Sequence, residues 1–165
     1  MIRTYVIHII LTIVLVSVIL NASVLLWSNA FFATVLSVSV YFIFWCLSFF
    51  YDKRHFRNVP RIISLILYFF KEMIKANLRI AYDVLTPHYY MHPTIIALPL
   101  DAETDLEITL FANLLTLTPG TLSIDITPDR KILYVHSLYV KNGDVEKLKV
   151  DLKNGFEKRL LEITR

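Results

Sequence analysis

Residues 104–121, TDLEITLFANLLTLTPGT, place a helix start, an apolar helical face and a stop within eighteen positions. Thr104 and Glu107 have capping-box spacing, in which hydroxyl and carboxylate each satisfy an orphan amide of the first turn. Asp105 adds negative charge where the helix dipole favours it. Leu106, Leu110, Asn113, Leu114 and Leu117 fall at helical spacing on one side, with Ile108, Phe111 and Leu115 close by. The helix is therefore apolar over much of its circumference and must be covered. Thr118-Pro119-Gly120-Thr121 ends it: Pro119 presets the first corner of a type II turn, and Gly120 supplies the positive φ of the second.

Strands surround this helix. Residues 95–100 read as a short buried strand before it, and two alternating strands follow. In the first, Leu122, Ile124 and Ile126 oppose Ser123, Asp125 and Thr127; the second runs over residues 132–140, with Pro128-Asp129-Arg130 as the hairpin turn. Asn142-Gly143 closes it and Asp144 caps a last helix, where Val145, Leu148, Leu152, Phe156, Leu160 and Ile163 form a stripe opposite Lys147, Lys149, Lys153 and Lys158. Residues 93–165 thus predict a small βαββα domain.

The rest of the chain is of another kind. Hydrophobic residues make up 56% of the 165, only 19% are charged, and mean hydropathy is +0.56, which points to an integral membrane protein. Residues 4–51 contain no Asp, Glu, Lys or Arg. As one helix they would run roughly 72 Å, more than twice the hydrocarbon thickness, so two crossings with a turn at residues 21–29 around Trp27 are expected. Arg3 precedes the first crossing; Lys53, Arg54, Arg57 and Arg61 follow the second, so the positive-inside bias predicts a cytoplasmic N-terminus and a cytoplasmic C-terminal domain. A cleaved signal peptide is the rival reading, but the apolar run exceeds the usual ~7–15 residues and a second follows at once.

Residues 1–92 carry a charge balance of +5 and residues 93–165 one of −2. The basic excess therefore belongs to topology and contact with membrane lipid and gives no support for nucleic-acid binding, so no nucleic-acid partner is expected. The lone Cys46 has no internal disulfide partner and reads as a small buried hydrophobe. Residues 52–60 read as a basic connector, with Pro60 placed for a helix start. From there to Leu85 the pattern is amphipathic, with Lys71, Lys75 and Arg79 at i, i+4 opposite an apolar side. A spanning third helix would bury Lys71, Glu72 and Lys75, so residues 52–92 are expected to form a connector and a membrane-interface helix.

LTLTPGTL (residues 115–122) and LYVH (residues 133–136), with IIALPLD (residues 95–101) before them and membrane helices in front, resemble the MrpE/MnhE family, the E-type component of the Mrp/Mnh multisubunit cation/proton antiporters. Ser137 and Tyr139 depart from the usual pattern in detail. The resemblance covers nearly the whole chain. It implies an accessory or assembly subunit of a Na+/proton antiporter in a bacterial or archaeal cell membrane, working beside membrane subunits of A, B, C, D, F and G type. The large subunits would carry the ion path. Residues 4–51 agree, because ion transport across a bilayer normally uses intramembrane ionisable groups and here only His8 is one.

No catalytic, cofactor or metal site is expected. His88 and His92 lack a third ligand and are separated by a proline-flanked loop. Asp101, Glu103, Asp105 and Glu107 form an acidic run, half of it explained by the helix start. Asp125 and His136 lie on neighbouring strands, where a structural hydrogen bond is the expected role; no nucleophile or glycine-rich phosphate loop accompanies them. Thr116, Thr118, Pro119 and Gly120, with Asn113, are either helix-ending geometry or a docking face toward membrane subunits. A free-standing membrane-anchored binding module and a membrane-anchored enzyme are the other classes left open.

Overall fold

The computed structural model describes residues 2–22, 30–87, 91–140 and 143–165. The chain forms two compact units, Met1–Pro60 and Arg61–Arg165. The expected turn residues 23–29, His88 and Asn142 lie outside the described residues.

In the first unit, α1 (Ile2–Ala22) and α2 (Ala30–Tyr51) pair as a hairpin. Both contain a segment long and apolar enough to cross a membrane, Arg3–Leu20 and Phe31–Phe50. Their hydroxyls bond back to their own backbone: Thr12 Oγ1 donates to His8 O at 2.8 Å, Ser37 to Ala33 O at 2.8 Å and Ser48 to Trp45 O at 2.6 Å. Cys46 is exposed on α2, contrary to the buried position expected, since two helices alone leave most of their apolar surface uncovered.

The next helix, α3, begins at Lys53 and runs to Leu85, several residues before the start expected near Pro60. Asp52 explains this, because its Oδ1 accepts the His55 amide at 3.0 Å in the manner of an N-cap. Pro60 therefore lies inside the helix. It has no N–H to give to the carbonyl four residues back, and the Trp45 indole of α2 fills the vacancy by donating to Phe56 O at 2.9 Å.

The second unit contains the rest of α3 and an antiparallel sheet of order β1-β3-β2: β1 (Thr94–Pro99), β3 (Ile132–Ser137) and β2 (Thr121–Ile126). The helix α4 (Asp105–Leu117) joins β1 to β2. Ile96 and Leu98 of β1, Leu133 and Val135 of β3, and Phe111 and Leu115 of α4 are core residues, closed by Leu152, Phe156 and Leu160. The last strand is shorter than the predicted 132–140.

β2 departs from simple alternation. A bulge lies between Ser123 and Asp125. It leaves Leu122 and Ile124 exposed while Ile126 packs against the core. Ser123 faces α4, donating its hydroxyl to Ala112 O at 3.0 Å.

The C-terminal stripe is buried as expected, but on a broken helix: α5 (Val145–Leu152), a π turn (Lys153–Glu157) and α6 (Lys158–Thr164). Leu148, Leu152, Phe156 and Leu160 follow one another at four-residue steps, each of which drifts by roughly 40° on an α-helix. One wider turn keeps them on the core. Gly155 sits in this turn against Tyr68 of α3, whose ring would collide with any added Cβ.

Candidate functional site

The turn after α4 is built by hydroxyls. Thr118 Oγ1 donates to Leu114 O at 2.9 Å, and Thr121 Oγ1 donates to Leu115 O at 2.5 Å. Leu114 O is a carbonyl of the last helical turn, whereas Leu115 O also accepts the Thr118 N–H at 3.1 Å and Ser123 adds a hydroxyl bond to Ala112 O further back. Thr116 Oγ1 accepts the Ser123 amide at 3.2 Å, joining the last helical turn to β2. Thr121 N–H donates to Thr118 O at 3.1 Å across Pro119-Gly120, and Gly120 has φ 90°, as a type II turn requires. Leu138 N–H then donates to Gly120 O at 2.8 Å, tying the turn to the end of β3.

On the far side of that contact stands Tyr139. Its ring carbons would lie 3.4 Å from a Cβ at Gly120, and its hydroxyl donates to Asp83 Oδ2 of α3 at 2.7 Å. Burial, then the hydrogen bond to Asp83, pushes the phenol up to about 12. The Arg79 guanidinium lies 5.0 Å from the same ring centroid. Turn, Tyr139, α3 and α5 enclose a cleft of about 220 Å³ that mixes signs: Lys75, Arg79 and Lys147 against Glu72, Asp144 and Asp151.

The predicted site residues divide. Thr116, Thr118, Pro119 and Gly120 are brought together in this turn. Asn113 is exposed on the outer side of α4 in one row with Leu106, Leu110 and Leu117. Asp125 and His136 are not brought together: Asp125 stands opposite Tyr134 and His136 opposite Leu122. Asp125 Oδ1 accepts the Ile126 amide at 2.8 Å instead, because the register of the hairpin sets Asp125 opposite Tyr134, two positions short of His136.

The acidic run separates in the same way. Asp105 and Glu103 are exposed partners of Arg130 and Arg165. Glu107 is buried and completes the capping box with Thr104. Its carboxyl is held at about 2, chiefly by the Thr164 hydroxyl donating to Oε1 at 2.6 Å, against the opposing cost of burial. No group of three or more His, Cys, Asp or Glu among the described residues could hold a metal ion.

The model of a family described as "Na+/H+ ion antiporter subunit" matches residues 10–163. The E-type Na+/H+ antiporter subunit of Alkalihalophilus pseudofirmus is 39% identical over 128 residues, covering 78% of this chain and 80% of that protein. The chain belongs to the MnhE family of Na+/H+ antiporter subunits. The E-type counterpart from Bacillus subtilis is 38% identical over 125 residues, 72% of this chain and 78% of its own length. Among solved structures, a chain of the membrane-bound sulfane sulfur reductase, an archaeal respiratory membrane complex, aligns with TM-score 0.56 and 26% identity. That alignment spans 94% of this chain and 98% of the other.

In this MnhE-family chain, several structural residues carried no signal in the sequence. Asp83 and Tyr139 join α3 to the sheet across 56 positions. Glu157, on the π turn, accepts the amides of Asp101 at 2.6 Å and Ala102 at 2.9 Å, and burial raises its carboxyl above the usual range despite both bonds. A buried Glu in the last helix was legible only as a break in the lysine-rich face.

Proposed function

We propose that this chain is an accessory subunit of a multisubunit monovalent cation/proton antiporter, needed for assembly of the complex and not itself an ion path. One observation carries this: residues 4–51 hold no Asp, Glu, Lys or Arg, so the two membrane-length helices lack the paired ionisable groups that move ions through a bilayer. The hairpin is read as multi-pass in the cell membrane with both ends cytoplasmic, on the strength of Arg3 and the basic cluster from Lys53 to Arg61.

Two surfaces support a bracing role. Ile63, Leu67, Phe70, Ile74 and Leu78 leave an uncovered apolar stripe along α3, while Leu65, Tyr68 and Phe69 on another side pack on the C-terminal core. An amphipathic helix of this kind suits the membrane interface. On α4, the row Leu106, Leu110, Asn113 and Leu117 is read as the face that docks on membrane subunits of A, B, C, D, F or G type. The relatives' names place them in antiporters, and the structural neighbour belongs to a respiratory membrane complex.

The test is purification of the tagged chain from its own cells in mild detergent, with the co-purifying proteins identified by mass spectrometry. Recovery of the hydrophobic antiporter subunits supports the proposal. Recovery of the chain alone favours a free-standing module, and sodium/proton exchange by the chain alone in liposomes overturns the accessory role.

A further inference from the structure

The first unit holds a polar cluster that neither the hairpin's span nor the docking surfaces use. His8 of α1 and His55 of α3 are both buried, 2% and 0% exposed, with ring centroids 4.5 Å apart and planes perpendicular. Neither Nδ1 nor Nε2 of His55 has a hydrogen-bond partner. A buried polar ring left wholly unsatisfied is costly and uncommon in folded proteins, and it calls for a reason. Directly beside the pair stands Asp52, whose two oxygens are held in place by the His55 amide at 3.0 Å and the Thr4 hydroxyl at 2.8 Å. That amide, then the hydroxyl, keeps its carboxyl below the usual range, so it is an anion at neutral pH.

We propose that His8 and His55 form a proton-binding site at the end of the hairpin: the pair takes up one proton, and Asp52 balances the charge. A proton is the ligand that fits, because two imidazoles offer too few donors for a structural metal and a fixed carboxylate supplies the counter-charge. Uptake of a second proton is opposed by the first, since two imidazolium rings at this separation repel. The pair therefore titrates in two coupled steps.

Two phenols pack against the pair. Tyr5 of α1 packs on His55 at 4.3 Å between centroids, and Tyr41 of α2 lies 6.4 Å from His8. Both phenols are neutral through the range in which imidazole titrates. Lys53, which opens α3, directs its ammonium over the Phe49 ring at 5.9 Å. Burial, then the neighbouring His8, lowers the affinity of His55 for a proton, and Asp52 works in the opposite direction. With both rings neutral the site therefore carries the single negative charge of Asp52, and uptake of one proton on acidification cancels it, so the charge at this end of the hairpin follows pH. The inference does not depend on the assembly role proposed above.

The experiment is a titration of the full-length chain, labelled with 15N-histidine and held in lipid nanodiscs, from pH 8.5 to pH 5. The five histidines are assigned by single His→Gln variants. The expected result is that the ring nitrogens of His8 and His55 move together in two phases, with proton affinities at least tenfold apart. In His8→Phe, His55 should then titrate in a single phase. Independent single-phase curves for the two rings in the unmodified chain overturn the proposal, as does the absence of any titration of either ring in this range. The unmodified chain decides the matter even if His8→Phe fails to fold.

Discussion

Glu107 accepts the Thr104 and Glu103 amides on one oxygen and the Thr164 hydroxyl on the other, with Arg165 at 3.5 Å. Its carboxyl titrates at about 2 in the folded chain against an ordinary 4.5. A depressed value means that the folded state binds fewer protons than the unfolded one. The stabilisation is complete above pH 4.5 and is lost as pH falls from there toward 2. The upper bound is on the order of 3 kcal/mol. Glu107→Gln should remove most of it at pH 7 and flatten the acid limb of a stability-versus-pH curve measured by chemical denaturation in detergent. At Tyr139 the expected loss comes from the partner left behind. Tyr139→Phe takes the bond that Asp83 Oδ2 accepts, in a side chain whose Oδ1 has no partner among the described residues. It should cost ~1.5–3 kcal/mol by the same denaturation assay.

Helices α2 and α3 are joined through a gap that a proline makes. Trp45→Phe deletes the indole donor to Phe56 O and should destabilise the chain by ~1–2 kcal/mol. In a Pro60→Ala background the new N–H can reach the same carbonyl, so the Trp45→Phe loss should shrink. Unequal losses in the two backgrounds, read by thermal unfolding in detergent, are the signature. The junction of α3 with the π turn has the same logic with opposite sign. Gly155→Ala drives a methyl into the Tyr68 ring and should cost ~1–3 kcal/mol. A Tyr68→Ala background should recover part of that cost, because the colliding ring is then absent.

Taken as a whole, the chain leaves apolar surface where a lone protein would not. Leu106 and Leu117 are each 63% exposed on α4, and neither contributes to the core. Leu106→Gln with Leu117→Gln should leave the stability of the isolated chain within about 0.5 kcal/mol. The same pair should sharply reduce recovery of the membrane subunits in the detergent pull-down. A destabilised chain would mean that these leucines pack within it; unchanged recovery would mean that docking does not use this face.

The local elements were legible because their causes are local. The Thr104/Glu107 cap, the Pro119-Gly120 turn with its positive φ, the two apolar runs and the Val145-to-Ile163 stripe each depend on residues within a few positions of one another, and each lies in the structure where its pattern placed it. Which side of an element is covered was not legible. Leu122 and Ile124 share one face of an alternating pattern with Ile126, yet a single bulged residue reverses the first two. Asp125 and His136 were separated by the register of the hairpin, which no pattern in either strand fixes. His55 beside His8, Tyr139 on Asp83 and Trp45 on the carbonyl that Pro60 orphans join segments 11 to 56 positions apart. Such contacts are selected by the closing of one surface on another, and periodicity along a chain carries no record of which partner a face will meet.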